Sequence, residues 1–404
     1  MTQSVPFGIG SNMTSVDIPS SRDDITTQWL SHALEESFPG IGSDILNINI
    51  SEIGVGFGLM GALCRVQIEY SEKKEQYPSS VVIKMSSSDP ASLKLAKSLD
   101  LYRREYNFYS EIQQVAEIRT PRLYCSAYEK GDNRFFLILE DLQSMESVNQ
   151  LDGASPRQAI AAVRAIARLH GQFWNRTDTE ELQDVYRITP LSAAAIHFVY
   201  LTNVESSIRN FGKYYTPELE LIVRTIGRRA TEFLIASGSQ GETYIHGDFR
   251  LDNLFFGDDL ECAAVDWQVS GTSNGFFDLA YFLTGSLASS TRREVEREAV
   301  RNYCEVLSDS LESPLTFDEG WEFYRQAILA CLFTSVIVTG GLDLSVDRSN
   351  ELVVEGLKRT LIAIEELNSG EFLNESVKQT FQARIANFPA NFAYAIHRVF
   401  QRGK

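Results

Sequence analysis

Apolar and polar residues alternate along 44–53 and again along 62–70. In the second run Cys64, Val66, Ile68 and Tyr70 share one face, and Arg65, Gln67 and Glu69 share the other. A period of two is that of half-buried strands. The glycine-rich stretch 54–61 separates the two runs, and a polar turn over 71–79 leads to a third short run, 80–85. Together they predict an antiparallel meander with a glycine-rich first turn. Ahead of the meander, a helix is expected from about residue 26 to 37, ending near Pro39-Gly40. Residues 1–22, rich in Ser, Thr, Gly and Asn towards their start, read as a flexible arm.

The period then lengthens. Leu95, Leu99, Tyr102, Tyr106, Tyr109 and Ile112 recur every three or four residues, so one helix is expected over about 92–115. Two more strand-like runs, 122–128 and 134–140, are joined by the turn residues Lys130-Gly131-Asp132-Asn133. Beyond Asp141 the pattern is mainly helical. Ser155-Pro156 supplies an N-cap followed by proline at the first helical position, opening a helix to about Trp174. A strand-and-loop segment at 244–268 interrupts these helices. The fold class expected is α+β with two lobes, a small antiparallel β-rich lobe over 23–141 and a larger, mostly helical lobe over 142–404. The most apolar segment, 327–342, is shorter than the roughly twenty residues a membrane span needs and reads as a buried helix.

Length and composition agree with this division. A chain of 404 residues with 44% hydrophobic residues is long enough for two lobes and builds a sizeable core. Its net charge of -17 argues against a nucleic-acid partner, which would require a basic footprint. The five cysteines stand far apart with no zinc-like spacing, as expected of reduced core residues in a cytoplasmic protein. Residues 1–20 lack the charged-then-apolar pattern of a secretory leader.

The chemistry concentrates in His246-Gly247-Asp248-Phe249-Arg250-Leu251-Asp252-Asn253, with Asp266 thirteen residues beyond Asn253. Phosphoryl transfer needs one group to orient the attacking hydroxyl and oxygen ligands to hold magnesium on the phosphates. Asp248 fits the first role as catalytic base, and Asn253 and Asp266 fit the second. His246 reads as a brace for the loop, and Gly247 as the residue that lets the backbone turn beneath Asp248. Gly56, Gly58 and Gly61 form a G-x-G-x-x-G pattern that opens a strand rather than a helix, as a phosphate-covering loop requires. Lys84 ends the run Val81-Val82-Ile83-Lys84, where a lysine neutralises phosphates. Glu105 lies downstream on a helix and is expected to aim Lys84, with Arg103 and Arg104 as competing local partners. Arg250 either adds positive charge near the transferred group or pairs with Asp252. The cofactors expected are ATP and Mg2+.

These motifs resemble the aminoglycoside phosphotransferase and choline kinase superfamily of the protein-kinase-like fold. The resemblance is nearest to its ecdysteroid-kinase-like branch, through Leu169-His170-Gly171-Gln172-Phe173-Trp174, the HGDFRLDN wording and Asp278-Leu279-Ala280-Tyr281-Phe282. It implies that Glu140-Asp141-Leu142 is a hinge whose backbone meets the adenine edge, so Glu140 and Leu142 join the cofactor site. It also implies that His170 and Asp278 are scaffold residues near the catalytic loop. Trp267-Gln268 stands where protein kinases carry Phe-Gly, so a glycine-dependent flip of Asp266 is not expected.

Asp266 and Asp278 are only twelve residues apart, which leaves no room for a protein-kinase activation segment. The acceptor expected is therefore a small hydroxylated molecule: a metabolite, steroid, amino alcohol or aminoglycoside-like compound. Its pocket is expected among the C-terminal helices, with the aromatic stretches 198–200 and 388–394 as candidates that fit a core role better. Two other classes remain open. One is a catalytically silent nucleotide-binding regulator of the same fold, and the other is a metal-dependent hydrolase, for which too few histidines stand in ligand-like pairs.

Overall fold

The computed structural model describes residues 16–54, 61–72, 74–237, 241–341, 347–375 and 381–402. The phosphate-loop glycines Gly56 and Gly58 lie outside them. By their contacts the described residues fall into two units, one within Met1–Val55, Leu59–Tyr106 and Arg122–Asp141, the other within Asn107–Pro121 and Leu142–Lys404. The chain last passes from the first unit to the second between Asp141 and Leu142.

The first unit is built on a five-stranded antiparallel sheet of β1 (Ile45–Glu52), β2 (Gly61–Tyr70), β3 (Ser80–Ser86), β4 (Leu123–Glu129) and β5 (Arg134–Glu140), in the order β1-β2-β3-β5-β4. The alternation read along β2 is the one observed: Cys64, Val66 and Ile68 are buried, and Gln67 and Glu69 are exposed. Those side chains meet Leu30, Leu34 and Ile41 from the short helices α1 (Thr27–Leu34) and α2 (Ile41–Asp44) in one core. The expected flexible arm is pinned at its described end, because Trp29 donates from Nε1 to the Asp17 carbonyl at 2.8 Å and Val16 and Ile18 pack on that core. The single helix expected over 92–115 is broken. Asp100 adopts a left-handed φ of 56° between α3 (Pro90–Ser98) and α4 (Leu101–Asn107), and a π-turn over Phe108–Ile112 follows. From Asn107 onward this segment belongs to the second unit, where the Phe108 ring lies 3.7 Å from that of Trp267 in a parallel stack.

The second unit carries the two-residue strand β6 (Glu146–Ser147), α5 (Pro156–Phe173), α6 (Pro190–Phe211), α7 (Pro217–Ser237), β7 (Glu242–Ile245), β8 (Leu254–Phe256), β9 (Cys262–Ala264) and β10 (Gly271–Asn274). Helices α8 (Phe276–Gly285), α9 (Ser289–Ser308), α10 (Phe317–Gly341), α11 (Asp347–Glu366), α12 (Phe372–Glu375) and α13 (Phe381–Arg402) follow. The N-terminus of α5 forms as read: the Ser155 hydroxyl caps Gln158 N–H, whose side chain returns a bond to Ser155 N–H at 3.0 Å. The segment 244–268 contributes to two small sheets, β10-β7 and β6-β8-β9, which it forms with β6 and β10 on either side of it in sequence. Helix α10 is long and apolar enough to cross a membrane by length and composition. It packs against α6, α8 and α11 with Tyr324, Ile328, Leu332 and Val336 buried. Four of the five cysteines are buried, Cys125 is half-buried, and none forms a disulfide.

Candidate functional site

The sequence-predicted residues come together in two groups, one in each unit. In the first unit, Lys84 projects from β3 and Glu105 from α4, with Nζ and Oε1 2.7 Å apart and both side chains almost wholly buried. Helix α4 is held to the sheet by Tyr102, whose ring stacks on Phe135 at 4.5 Å and whose hydroxyl accepts from Ser87 N–H at 3.0 Å. Of the two local competitors, Arg103 pairs with Asp100 at 2.6 Å. Gly61 opens β2, and a Cβ there would lie 2.6 Å from the Met85 carbonyl oxygen, so the strand pair closes only around glycine. At the end of β5, Glu140 accepts from Arg122 N–H at 3.0 Å, turning its carboxylate back to the sheet. Asp141 takes a two-pronged bond from Arg65 at 2.7 and 3.0 Å and a third from Ser80. The strand end is thereby fixed by side chains, just before the buried Leu142.

The second group is a loop woven from three segments. Gly247 has φ +83°, which turns the backbone beneath Asp248. The Asp278 carboxylate on α8 accepts from His246 N–H at 2.7 Å and from Gly247 N–H at 2.9 Å. His170 on α5 backs Asp278 at 3.3 Å and meets the Tyr303 hydroxyl at 2.7 Å, all of it buried. The His246 ring takes Asp248 N–H on Nδ1 at 3.2 Å and contacts the Val265 carbonyl through Nε2 at 2.9 Å. A carbonyl only accepts, so Nε2 donates in that contact. His246 therefore ties the Asp248 turn to the Asp266 segment and has no ring nitrogen left for proton transfer.

Asn253 donates from Nδ2 both to the Asp248 carbonyl at 2.9 Å and to Asp248 Oδ2 at 3.0 Å. Its backbone carbonyl accepts from Val265 N–H at 2.9 Å, next to Asp266. Asp266 itself holds φ +66°, an unusual backbone for a non-glycine residue, and accepts from Gln268 Nε2 at 3.3 Å. Arg250 bridges two carboxylates, Asp248 through Nε at 3.1 Å and Asp252 through Nη1 at 2.5 Å. The pairing with Asp252 is present, and Arg250 also places its charge on Asp248. Tyr281 of α8 adjoins this cluster. Burial and then the Asp248 charge push its hydroxyl well above the ordinary phenol range.

The oxygen set suits magnesium. With Nδ2 spent on Asp248, Asn253 keeps its Oδ1 for a cation, and the Asp266 carboxylate stands on the segment bonded to it. Gln268 Oε1, beside Asp266, is a buried oxygen with no hydrogen-bond partner. Among the described residues no group of three or more His, Cys, Asp or Glu side chains forms a metal cage.

Sequence reasoning missed Trp267 as a structural key. It is fully buried, stacks on Phe108, touches the His246 ring at 4.5 Å and donates to the Ala264 carbonyl at 3.3 Å. The only signal was its position directly after Asp266. The aromatic stretch at 198–200 is core on Tyr200, whose buried hydroxyl donates to the Val223 carbonyl at 3.1 Å. In the stretch 388–394, Phe388 and Phe392 are instead exposed.

Choline kinase from Cryptosporidium parvum Iowa II superposes with a TM-score of 0.53 over 84% of this chain and 97% of its own, at 12% identity. Plasmodium vivax ethanolamine kinase superposes with a TM-score of 0.51 over 85% of this chain and 89% of its own, at 11% identity. At these identities the likeness is one of fold, the bilobal α+β fold of protein-kinase-like phosphotransferases. No curated protein matches the chain. The profile of the ecdysteroid kinase-like family matches residues 56–314, well over half of the sequence, and the chain belongs to that family.

Proposed function

We propose that the protein is an ATP-dependent small-molecule kinase that transfers a phosphoryl group to the hydroxyl of a metabolite, steroid, amino alcohol or aminoglycoside-like acceptor. Family membership and the shared fold support the reaction class. The observation that carries it is the double donation from Asn253 to Asp248. One amide positions the carboxylate that receives the substrate proton and turns its own oxygen outward as a neutral metal ligand.

In this reading Lys84, aimed by Glu105, meets the nucleotide phosphates, and Asn253 and Asp266 hold Mg2+, which neutralises phosphate charge when bound. Gly56, Gly58 and Gly61 cover the phosphates with backbone N–H groups, and the backbone at Glu140 and Leu142 meets the adenine edge. Asp248 accepts a hydrogen bond from the acceptor hydroxyl, orients its oxygen and takes its proton as the bond to phosphorus forms and the bond from that phosphorus to the departing ADP oxygen breaks. Arg250 places its positive charge on Asp248 at 3.1 Å, beside the carboxylate that meets the acceptor. No nucleic-acid partner is called for.

Purified protein is expected to bind Mg-ATP by calorimetry and to release ADP when one member of a panel of hydroxylated compounds is added. Asp248→Asn is expected to lower turnover by about 10²–10⁴-fold with nucleotide affinity retained. Failure of the wild-type protein to bind Mg-ATP would sink the assignment. Binding without turnover on any acceptor would point to the nucleotide-binding regulator instead.

A further inference from the structure

Helix α13 wears its polarity reversed. Ile385, Phe388, Phe392 and Ile396 recur every three or four residues and are 56%, 63%, 54% and 43% exposed. Phe388 and Phe392 stack on each other with ring centroids 5.5 Å apart. The face towards α6 and α7 carries Asn387 and Ala390, both buried, and Asn391, whose Nδ2 donates to the Arg228 carbonyl of α7 at 3.2 Å. Amides face the protein and aromatics face water, the opposite of an ordinary surface helix.

The charge of the same segment departs from the rest of the chain. From Phe381 to Lys404 there are Arg384, Arg398, Arg402 and Lys404 and no Asp or Glu, in a chain of net charge -17. Of these, Arg398 is described and exposed.

We propose that α13 is a membrane-surface helix that docks this protein on an anionic lipid layer. The stripe Ile385-Phe388-Phe392-Ile396 enters the boundary between headgroups and acyl chains, and the arginines meet the anionic headgroups. The helix lies in the plane of the surface and does not cross it. An anionic bilayer is the occupant that uses both features. A second copy seated stripe against stripe would bring the cationic segments together, and like charges repel there. A nucleic acid would use the arginines and leave four large apolar side chains in water. None of the proposed catalytic or cofactor residues lies on α13, so docking stands apart from the phosphoryl-transfer reading.

Flotation of the full-length protein with vesicles tests the proposal. The protein is expected to float with phosphatidylcholine–phosphatidylserine vesicles, to stay behind with phosphatidylcholine alone, and to be released by salt. Phe388→Ser with Phe392→Ser is expected to weaken binding about a hundredfold, since two aromatic side chains leave the lipid. Arg398→Glu is expected to weaken it about tenfold through the lost headgroup attraction. Should the double variant fail to fold, Phe392→Trp gives a second readout, a blue-shifted emission component that appears with anionic vesicles and is absent without them. The proposal is overturned by absence of flotation with anionic vesicles at low salt, or by equal flotation of a folded double variant. A dimer in solution that Phe392→Ser dissolves and vesicles do not compete with also overturns it, in favour of a second copy on this face.

Discussion

Gly247 shows how closely the site is built at the scale of single residues. Its φ of +83° lies where side chains are strained, and a Cβ there would stand 2.5 Å from the Val269 carbonyl oxygen, well inside contact distance. Both its N–H and that of His246 end on Asp278, so the turn cannot shift to make room without losing bonds in the buried core. Gly247→Ala is expected to destabilise the fold by about 2 kcal/mol or more, read as a lower urea midpoint. An unchanged midpoint would show the turn to be more pliant than this geometry. Lys84 and Glu105 make a second test. Their pair is buried, so removing one partner strands the other charge away from water. Lys84→Met should cost about 3 kcal/mol in the same measurement, and adding Glu105→Gln should recover much of that loss. If the double variant is no better than the single one, the carboxylate is not what suffers when the lysine goes.

At the scale of elements, α6 and α7 are joined by a histidine that no motif singled out. His197 on α6 contacts Thr231 Oγ1 at 2.8 Å and the Gly227 carbonyl at 2.6 Å on α7, and it is fully buried. Burial lowers its pKa below the ordinary 6.5, although the bond to the Gly227 carbonyl opposes the shift. The unfolded chain then binds a proton more readily than the folded one as pH falls through 6.5. Stability from this group is complete above pH 6.5 and is lost as pH drops towards the lower folded value, by up to about 1.4 kcal/mol per pH unit. Denaturation at pH 7.5 and 5.5 should show wild type losing more stability than His197→Gln, and identical losses in the two proteins would refute the assignment. Such pins also explain what was legible in the sequence. Alternation announced β1 to β3, and the capping pair announced α5, because both signals lie within one element. The turn from His246 to Asn253 was legible because its polar residues bond one another within a few positions. The break at Asp100 was not, since helical spacing runs straight through it in the sequence. Nor was the stack of Phe108 on Trp267, which joins residues more than 150 positions apart and settles which unit the segment after α4 belongs to.

For the whole molecule, the net charge of -17 makes any response to cations ambiguous unless screening is separated from binding. The geometry separates them. If Asn253 and Asp266 are the magnesium ligands, as proposed, they offer too few protein oxygens for an octahedral shell, so the free ion should hold weakly until phosphate oxygens complete it. At matched ionic strength, MgCl2 alone should leave the melting temperature where NaCl leaves it. Mg-ATP at about a hundred times its Kd should add about 2.7 kcal/mol to the folded state. Spread over the unfolding entropy of a chain of 404 residues, that is a rise of about 3 °C. Chelation with EDTA should reverse most of the rise, and Asp266→Asn should abolish the magnesium-dependent part while leaving the protein folded. A rise with MgCl2 alone that equals the rise with Mg-ATP would reveal a self-sufficient metal site, and the assignment of Asn253 and Asp266 as partial ligands would fall. A rise with Mg-ATP that survives Asp266→Asn unchanged would leave the nucleotide in place and move the metal to other residues.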